Sequence, residues 1–268
     1  MNPRSPLLNV MTAAAKKAAR KLVRDFGEIE HLQVSKKGPA DFVSNADRTA
    51  DRTLIAELGK ARPRFGILSE ESGEIAGQDN SNRWIIDPLD GTTNFLHGIP
   101  HFAISIALER DGEPFAGVVY EPVHDEMFWA EKGLGAHLNG RRIRVSARRR
   151  MDESLFATGI PFKGARDHPL FLDQLQAVMA ISAGVRRFGA AALDLAYVAA
   201  GRYDGFWETG INAWDMAAGI VLVRESGGYV SEIGGGKAMM TSGSILAAND
   251  HLHRPLVKVL EASQNDMS

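Results

Sequence analysis

A layered sandwich of α+β (mixed α/β) type is the fold this sequence predicts, from three observations. Apolar residues recur at helical spacing in several segments, a run of alternating apolar and polar residues with turn signals fills the middle of the chain, and helices and strands alternate in blocks on either side. With 268 residues, 44% hydrophobic and 24% charged, the chain can bury a sizeable core and is neither a disordered tail nor a low-complexity linker.

The first helix is read from Leu8, Met11, Ala15, Ala18, Leu22 and Phe26, at three- and four-residue steps. Ser5-Pro6 supplies a cap and a first-turn proline, and Gly27 closes the pattern. A second helix is expected from about Asp47 to Leu58, burying Leu54, Ile55 and Leu58 and stopped by Gly59 and Pro63. Short apolar strands follow at Phe65 to Leu68 and Trp84 to Ile86. Phe102 to Val145 reads as an antiparallel meander: FAISIALE, the turn Asp111-Gly112, FAGVVYE, EMFWAE, AHL, then Asn139-Gly140 before RRIRV. Beyond it come a Pro169-initiated helix with Phe171, Leu172, Leu175 and Met179, and a helix near Ala190 to Ala200 closed by Gly201. A strand around Phe206-Trp207 leads to a helix from about Ala213 to Glu225, closed by Gly227-Gly228, and a last strand and helix span Ile245 to Glu261. No linker or internal repeat divides the chain. Residues 1–268 read as one domain whose two structural halves meet near 141–150, a stretch with six arginines.

Composition narrows the chemistry. Lys and Arg number 31 against 33 for Asp and Glu, so no global field attracts nucleic acid or an acidic membrane. The absence of cysteine excludes disulfides, thiolate metal sites and cysteine nucleophiles. Lys16, Lys17, Arg20, Lys21 and Arg24 interrupt the first helix, which therefore does not read as a signal peptide, and no stretch is apolar enough to span a membrane; a cytoplasmic protein is the expectation.

The segment Trp84 to Asn94, WIIDPLDGTTN, is the most informative. Its apolar entry predicts a buried strand ending at Asp87, where Pro88, lacking an N–H, makes the chain leave the sheet. Asp87 and Asp90 then converge with the Leu89 carbonyl between them, three hard oxygen donors suited to Mg2+. Gly91, Thr92 and Thr93 offer small side chains and amides that let a phosphate approach. Taken alone, Asp-Pro-x-Asp-Gly is also an ordinary surface turn. Further acids at the ends of apolar segments argue against that: Glu70 and Glu71 after FGILS, Asp215 in NAWDMAAG, and Asp47 in DFVSNAD.

This ordered set, from KKGPADFVSNAD through SEES and WIIDPLDGTTNF to GINAWDMAAGIVLVRESGG, strongly resembles the inositol monophosphatase family. These are Mg2+-dependent, lithium-sensitive phosphomonoesterases related to fructose-1,6-bisphosphatase. The resemblance covers nearly the whole chain and implies alternating layers in the order αβαβα. It implies that Glu70, Asp87, the Leu89 carbonyl, Asp90 and Asp215 hold two or three Mg2+ ions, that Asp47 and Thr92, with Glu70, prepare the attacking water, and that Lys36 lies on a loop over the site. Gly189, Ala191 and Glu208 match the substrate-contacting positions, beside Asp90, Gly91, Thr92 and Asp215. The chemistry agrees: a phosphomonoester dianion repels hydroxide and leaves an alkoxide, so positive charge is needed at the attacking, equatorial and leaving oxygens. Two residues, not one, separate Asp87 from Asp90, which disfavours a phospho-aspartyl intermediate.

The family implies a small phosphate monoester as substrate, myo-inositol monophosphate first, histidinol phosphate or a sugar phosphate as alternatives, and a homodimer. Ala190 stands where relatives carry Ser or Thr, which bears on substrate preference. His97 and His101 read as packing or pocket-lining residues, because Gly98 and Pro100 break a helical zinc pair. Arg141 to Arg150, with Arg186 and Arg187, read as the solvated face of an edge strand; the competing reading is a nucleic-acid or protein patch, as in relatives that associate with the transcription machinery.

Overall fold

The structure is a computed structural model that describes residues 4–27, 34–36, 42–161 and 168–265. In chain order its elements are α1 (Pro6–Gly27), β1 (Val34–Lys36), β2 (Phe42–Ser44), α2 (Asn45–Ala61), β3 (Phe65–Ser69), β4 (Gly73–Ile75), β5 (Asp79–Asp90), α3 (Thr92–Leu96), β6 (Ala103–Arg110), β7 (Glu113–Glu121), β8 (Glu126–Glu131), β9 (Gly135–Leu138) and β10 (Arg141–Arg142). After a 3-10 turn at Met151–Glu153 come β11 (Leu155–Thr158), α4 (His168–Met179), β12 (Gly184–Arg186), α5 (Ala191–Ala199), β13 (Gly205–Thr209), α6 (Ala213–Glu225), β14 (Tyr229–Ser231), α7 (Met239–Ser242), β15 (Ser244–Ala248) and α8 (His253–Asn265).

Period-two alternation on the strands builds the layers. On β6, Ile104, Ile106 and Leu108 pack toward α1 and α2, while Ala103 and Ala107 face the opposite way, toward α5 and α6. The eight-stranded sheet, in the order β10-β9-β8-β7-β6-β5-β3-β4, is therefore covered on both faces. The five-stranded sheet, β12-β11-β13-β15-β14, shares α5 and α6 with it and turns Phe156, Trp207 and Leu246 outward onto α4 and α8. The result is α1/α2, sheet, α5/α6, sheet, α4/α8, the five-layer order that the resemblance implied.

The first helix forms as its pattern requires: Ser5 Oγ accepts the Leu8 N–H at 3.1 Å, and Leu8, Met11 and Leu22 are buried, each such side chain contributing about 1.5–3 kcal/mol. Asp111-Gly112 and Asn139-Gly140 all have positive φ, as the expected tight hairpins need. Three expectations are corrected. α2 continues through Gly59 to Ala61, because one helical glycine costs only about 1 kcal/mol; Pro63, which disfavours helix at Arg62, is what stops it. The RRIRV strand shrinks to Arg141–Arg142, after which Ile143 and Val145 turn into the core beside α5 and α6. On α4 the buried residues are Phe171, Gln174 and Val178, whereas Leu172 and Met179 are exposed.

Candidate metal centre

Parallel pairing brings the acidic segments together. β3 runs parallel to β5 with Ser69 opposite Ile86, so both strands deliver their C-terminal ends to one edge of the sheet. The Glu70 N–H donates to the Ile86 carbonyl at 3.1 Å, which sets Glu70 alongside Asp87.

The strand does not end at Asp87, as the proline suggested. Asp87 pairs with Ser105 and Asp90 with Ala103, so three steps along β5 oppose two along β6. This bulge absorbs Pro88 without breaking the strand. In a regular strand a three-residue gap puts side chains on opposite faces. The extra residue restores one face, that of Ser105 and Ala103, and Ser105 Oγ donates to the Trp214 carbonyl at the start of α6. Asp87 and Asp90 thus face the layer that carries Asp215. Inside the bulge the Leu89 N–H donates to Asp87 Oδ1 at 2.9 Å, and Thr92 Oγ1 donates to the Leu89 carbonyl, also at 2.9 Å. Gly91, at φ 91°, turns the chain into α3; a Cβ there would stand 2.9 Å from the His101 carbonyl oxygen.

Two helix N-termini close over these carboxylates. Asp215 is in the first turn of α6 and its Oδ2 accepts the Asn212 N–H at 2.6 Å, one arm of a capping box. Asp90 Oδ2 accepts the Ala192 N–H at 2.8 Å, with Leu193 and Ala191 as further backbone donors. It caps α5 from another element, where the N-cap residue Ala190 has no side-chain oxygen of its own.

Ligand oxygens of Asp87, Asp90 and Asp215 lie within 4.8 Å of one another. Glu70, half-buried, lies outside that trio, but its charge acts on Asp87 and Asp90; Asp47, buried in the first turn of α2, acts on Asp87. Burial, then the charges of Glu70, Asp90 and Asp215, hold the Asp87 carboxyl well above the ordinary range. Burial raises Asp90 to about 7 against the opposing pull of its amide donors, and burial with the Asp90 charge raises Asp215 to about 7. Among the described residues, the charges that act most on Asp87 are all carboxylates. Buried, oxygen-only and negative, this donor set fits a hard divalent cation.

Glu208, on β13, is pushed up to about 8 by burial and by Asp215 and Asp90, opposed by Arg187. Its side chain lies over Gly159, where a Cβ would fall 1.7 Å from Glu208 Oε1, so any larger residue there would displace the Glu208 carboxylate. Gly189, at φ 79°, and Ala191 lead into the α5 N-terminus beside Asp90. Ala190 is buried in the core. Lys36 ends β1, and its side chain lies outside the described residues. His97 and His101 stay apart from the acidic trio; His101 packs on Phe188 with ring centres 5.0 Å apart. Among the six arginines, Arg148 pairs with Asp204 at 3.3 Å and Arg150 with Asp152 and Glu153, while Arg141, Arg144 and Arg149 are exposed.

Two residues escaped the sequence reading. Gly159 had only its place after an apolar strand to mark it. Asp194, in the first turn of α5, is 1% exposed, its Oδ1 has no partner among the described residues, and burial with the charges of Glu208 and Asp90 holds it well above the ordinary range. A lone acid in the apolar stretch AALDLAYVAA was the available signal.

Fold and acidic centre together define a layered α+β protein with a candidate divalent-cation site. Comparison with known proteins narrows it: a sequence model of the Inositol monophosphatase family matches residues 4–265, and the chain belongs to that family. It is 57% identical to an inositol-1-monophosphatase of Mesorhizobium japonicum, covering 96% of this chain and 97% of that one. It is 44% identical to Nus factor SuhB of Escherichia coli K12, over 97% and 96%. The crystal structure of extragenic suppressor protein suhB from Bartonella henselae superposes with a TM-score of 0.93 at 57% identity, covering 96% of this chain and 99% of that one.

Proposed function

We propose that this chain hydrolyses myo-inositol monophosphate to inositol and phosphate, with two or three Mg2+ ions at the acidic centre and no covalent intermediate. The observation that carries the reading is the convergence of Asp87, Asp90 and Asp215 on one point. Bound there, divalent cations supply Lewis acidity for the phosphoryl and leaving oxygens and make water more acidic. The chain's own residues do the positioning. Asp87, Asp90 and Asp215 hold cations, with Glu70 and the Leu89 carbonyl, which keeps a second lone pair beyond its bond to Thr92. Thr92, half-exposed after the bulge, orients the attacking water together with Asp47 and Glu70. The Glu208 side chain, on a strand paired with β15, makes no hydrogen bond among the described residues, and we assign it a ring hydroxyl of the substrate; Gly91, Gly189 and Ala191 supply close backbone approach.

The test is phosphate release from myo-inositol 1-phosphate with Mg2+. Asp90→Asn and Asp215→Asn should each lower kcat by about 100-fold or more; wild-type rates in both would overturn the assignment. A panel with histidinol phosphate and sugar phosphates reads out substrate class, and inhibition by Li+ belongs to the same reading. So does a homodimer, which light scattering reports. A second reading, a contact with the transcription machinery, is favoured by the 44% identical relatives named Nus factor and by exposed Arg141, Arg144 and Arg149. A pull-down that survives Asp87→Asn but fails on charge reversal of those arginines would support it.

A further inference from the structure

The turn carrying Glu70 is tied to α2 by a residue that the metal reading leaves unused. Asp51 is 2% exposed and stands one helical turn after Asp47. Its two carboxylate oxygens take separate partners: Oδ1 accepts the Ser69 hydroxyl and Oδ2 the Ser72 hydroxyl. Ser69 ends β3 and Ser72 precedes β4, so the two serines bracket Glu70 and Glu71. One carboxylate thus pins both ends of the SEES turn to the helix that presents Asp47. No ion pair among the described residues neutralises Asp51, and its burial is offset by these hydroxyls.

We propose that Asp51 is a positioning residue for the acidic centre: it holds the Glu70 turn in register with Asp47 and thereby sets cation affinity on the Glu70 side. This rests on the reading of Glu70 as a cation ligand. The physical reason is that a carboxylate on a turn gains affinity only if its geometry is fixed before the cation arrives, and outer hydrogen-bond partners fix it. The Glu70 N–H bond to the Ile86 carbonyl ties the turn to β5, and the Ser69–Gly73 pairing closes it as a hairpin, but neither ties it to α2. The Asp51 clamp supplies that tie.

The experiment measures Mn2+ binding to the full-length protein by electron paramagnetic resonance of the free ion, beside thermal melting. Ser72→Ala removes one arm at an exposed residue; Asp51→Ala removes both. Asp51→Asn preserves both contacts, because the amide oxygen accepts from one serine and the amide nitrogen donates to the other. Asp51→Ala should weaken Mn2+ binding by about 10-fold or more, Ser72→Ala by a smaller factor, and Asp51→Asn should recover most of the loss. The double variant Asp51→Ala with Ser72→Ala should bind no more weakly than Asp51→Ala alone, since the aspartate acts through the serine. Wild-type Mn2+ affinity in folded Asp51→Ala, whatever its melting temperature, would reduce Asp51 to a structural tie and overturn the proposal; should that variant not fold, unchanged affinity in Ser72→Ala does the same. Glu70→Gln separates the two readings. If it weakens Mn2+ binding while the clamp variants do not, only the Asp51 proposal fails, and if it leaves binding unchanged, the ligand reading of Glu70 fails first.

Discussion

Asp90, Asp215 and Glu208 titrate near 4 in an unfolded chain, whereas burial and mutual repulsion in the fold bring the two aspartates to about 7 and the glutamate to about 8. Between those limits the folded state binds more protons than the unfolded one, so the cation-free protein loses stability as pH rises from about 4 to about 8. Melting temperature of the EDTA-treated protein should fall across that window. Added Mg2+ should raise it more at pH 8 than at pH 5, because proton and cation compete for the same oxygens. A cation-free melting temperature that does not change with pH would mean these carboxyls are not held out of water. The carboxylates we assign as ligands were legible in sequence because each interrupts an apolar segment at its end. Asp194 was not, since an aspartate within a helix is ordinarily read as its solvent face, and only the packing of α5 between two sheets puts it inside.

The helices that carry the site are placed by close contacts that no periodicity announces. α6 lies so near β7 that a Cβ on Gly117 would come 2.5 Å from the Ala218 carbonyl oxygen and 2.8 Å from the Ala218 Cα. Both atoms are helix backbone, which cannot rotate away. Gly117→Ala should therefore cost about 1–3 kcal/mol in urea unfolding, and because α6 also holds Asp215, the Mg2+ concentration for half-maximal activity should rise with it. A neutral substitution would show that the contact yields easily. The span of α6 was read closely from sequence, Ala213 to Glu225 with Gly227-Gly228 beyond, because its stop is local. β5 was read too short, because a bulge belongs to a pair of strands and only the partner β6 reveals it.

α5 and α6 belong to the second half of the chain yet pack on the sheet of the first, so their core joins Val119 and Phe128 to Phe206 and Ala247. Neither sheet keeps its inner face covered without them. We propose on this ground that the two halves unfold together: calorimetry should give one transition, displaced as a whole by Mg2+. Two transitions, only one of them Mg2+-sensitive, would mean two independent units meeting near 141–150.

Helical periodicities, turn dipeptides, the cap at Ser5 and the acidic motifs could all be read along the chain, because each acts through residues only a few positions apart. The layered class and most of the proposed ligand set followed from them. Folding alone could put Glu70 beside Asp87, turn Asp87 and Asp90 to one face, let Asp90 cap a helix 102 positions away and clamp the SEES turn on Asp51. Each of these depends on pairing between segments distant in sequence, and the free energy of such pairing resides in no single stretch of it.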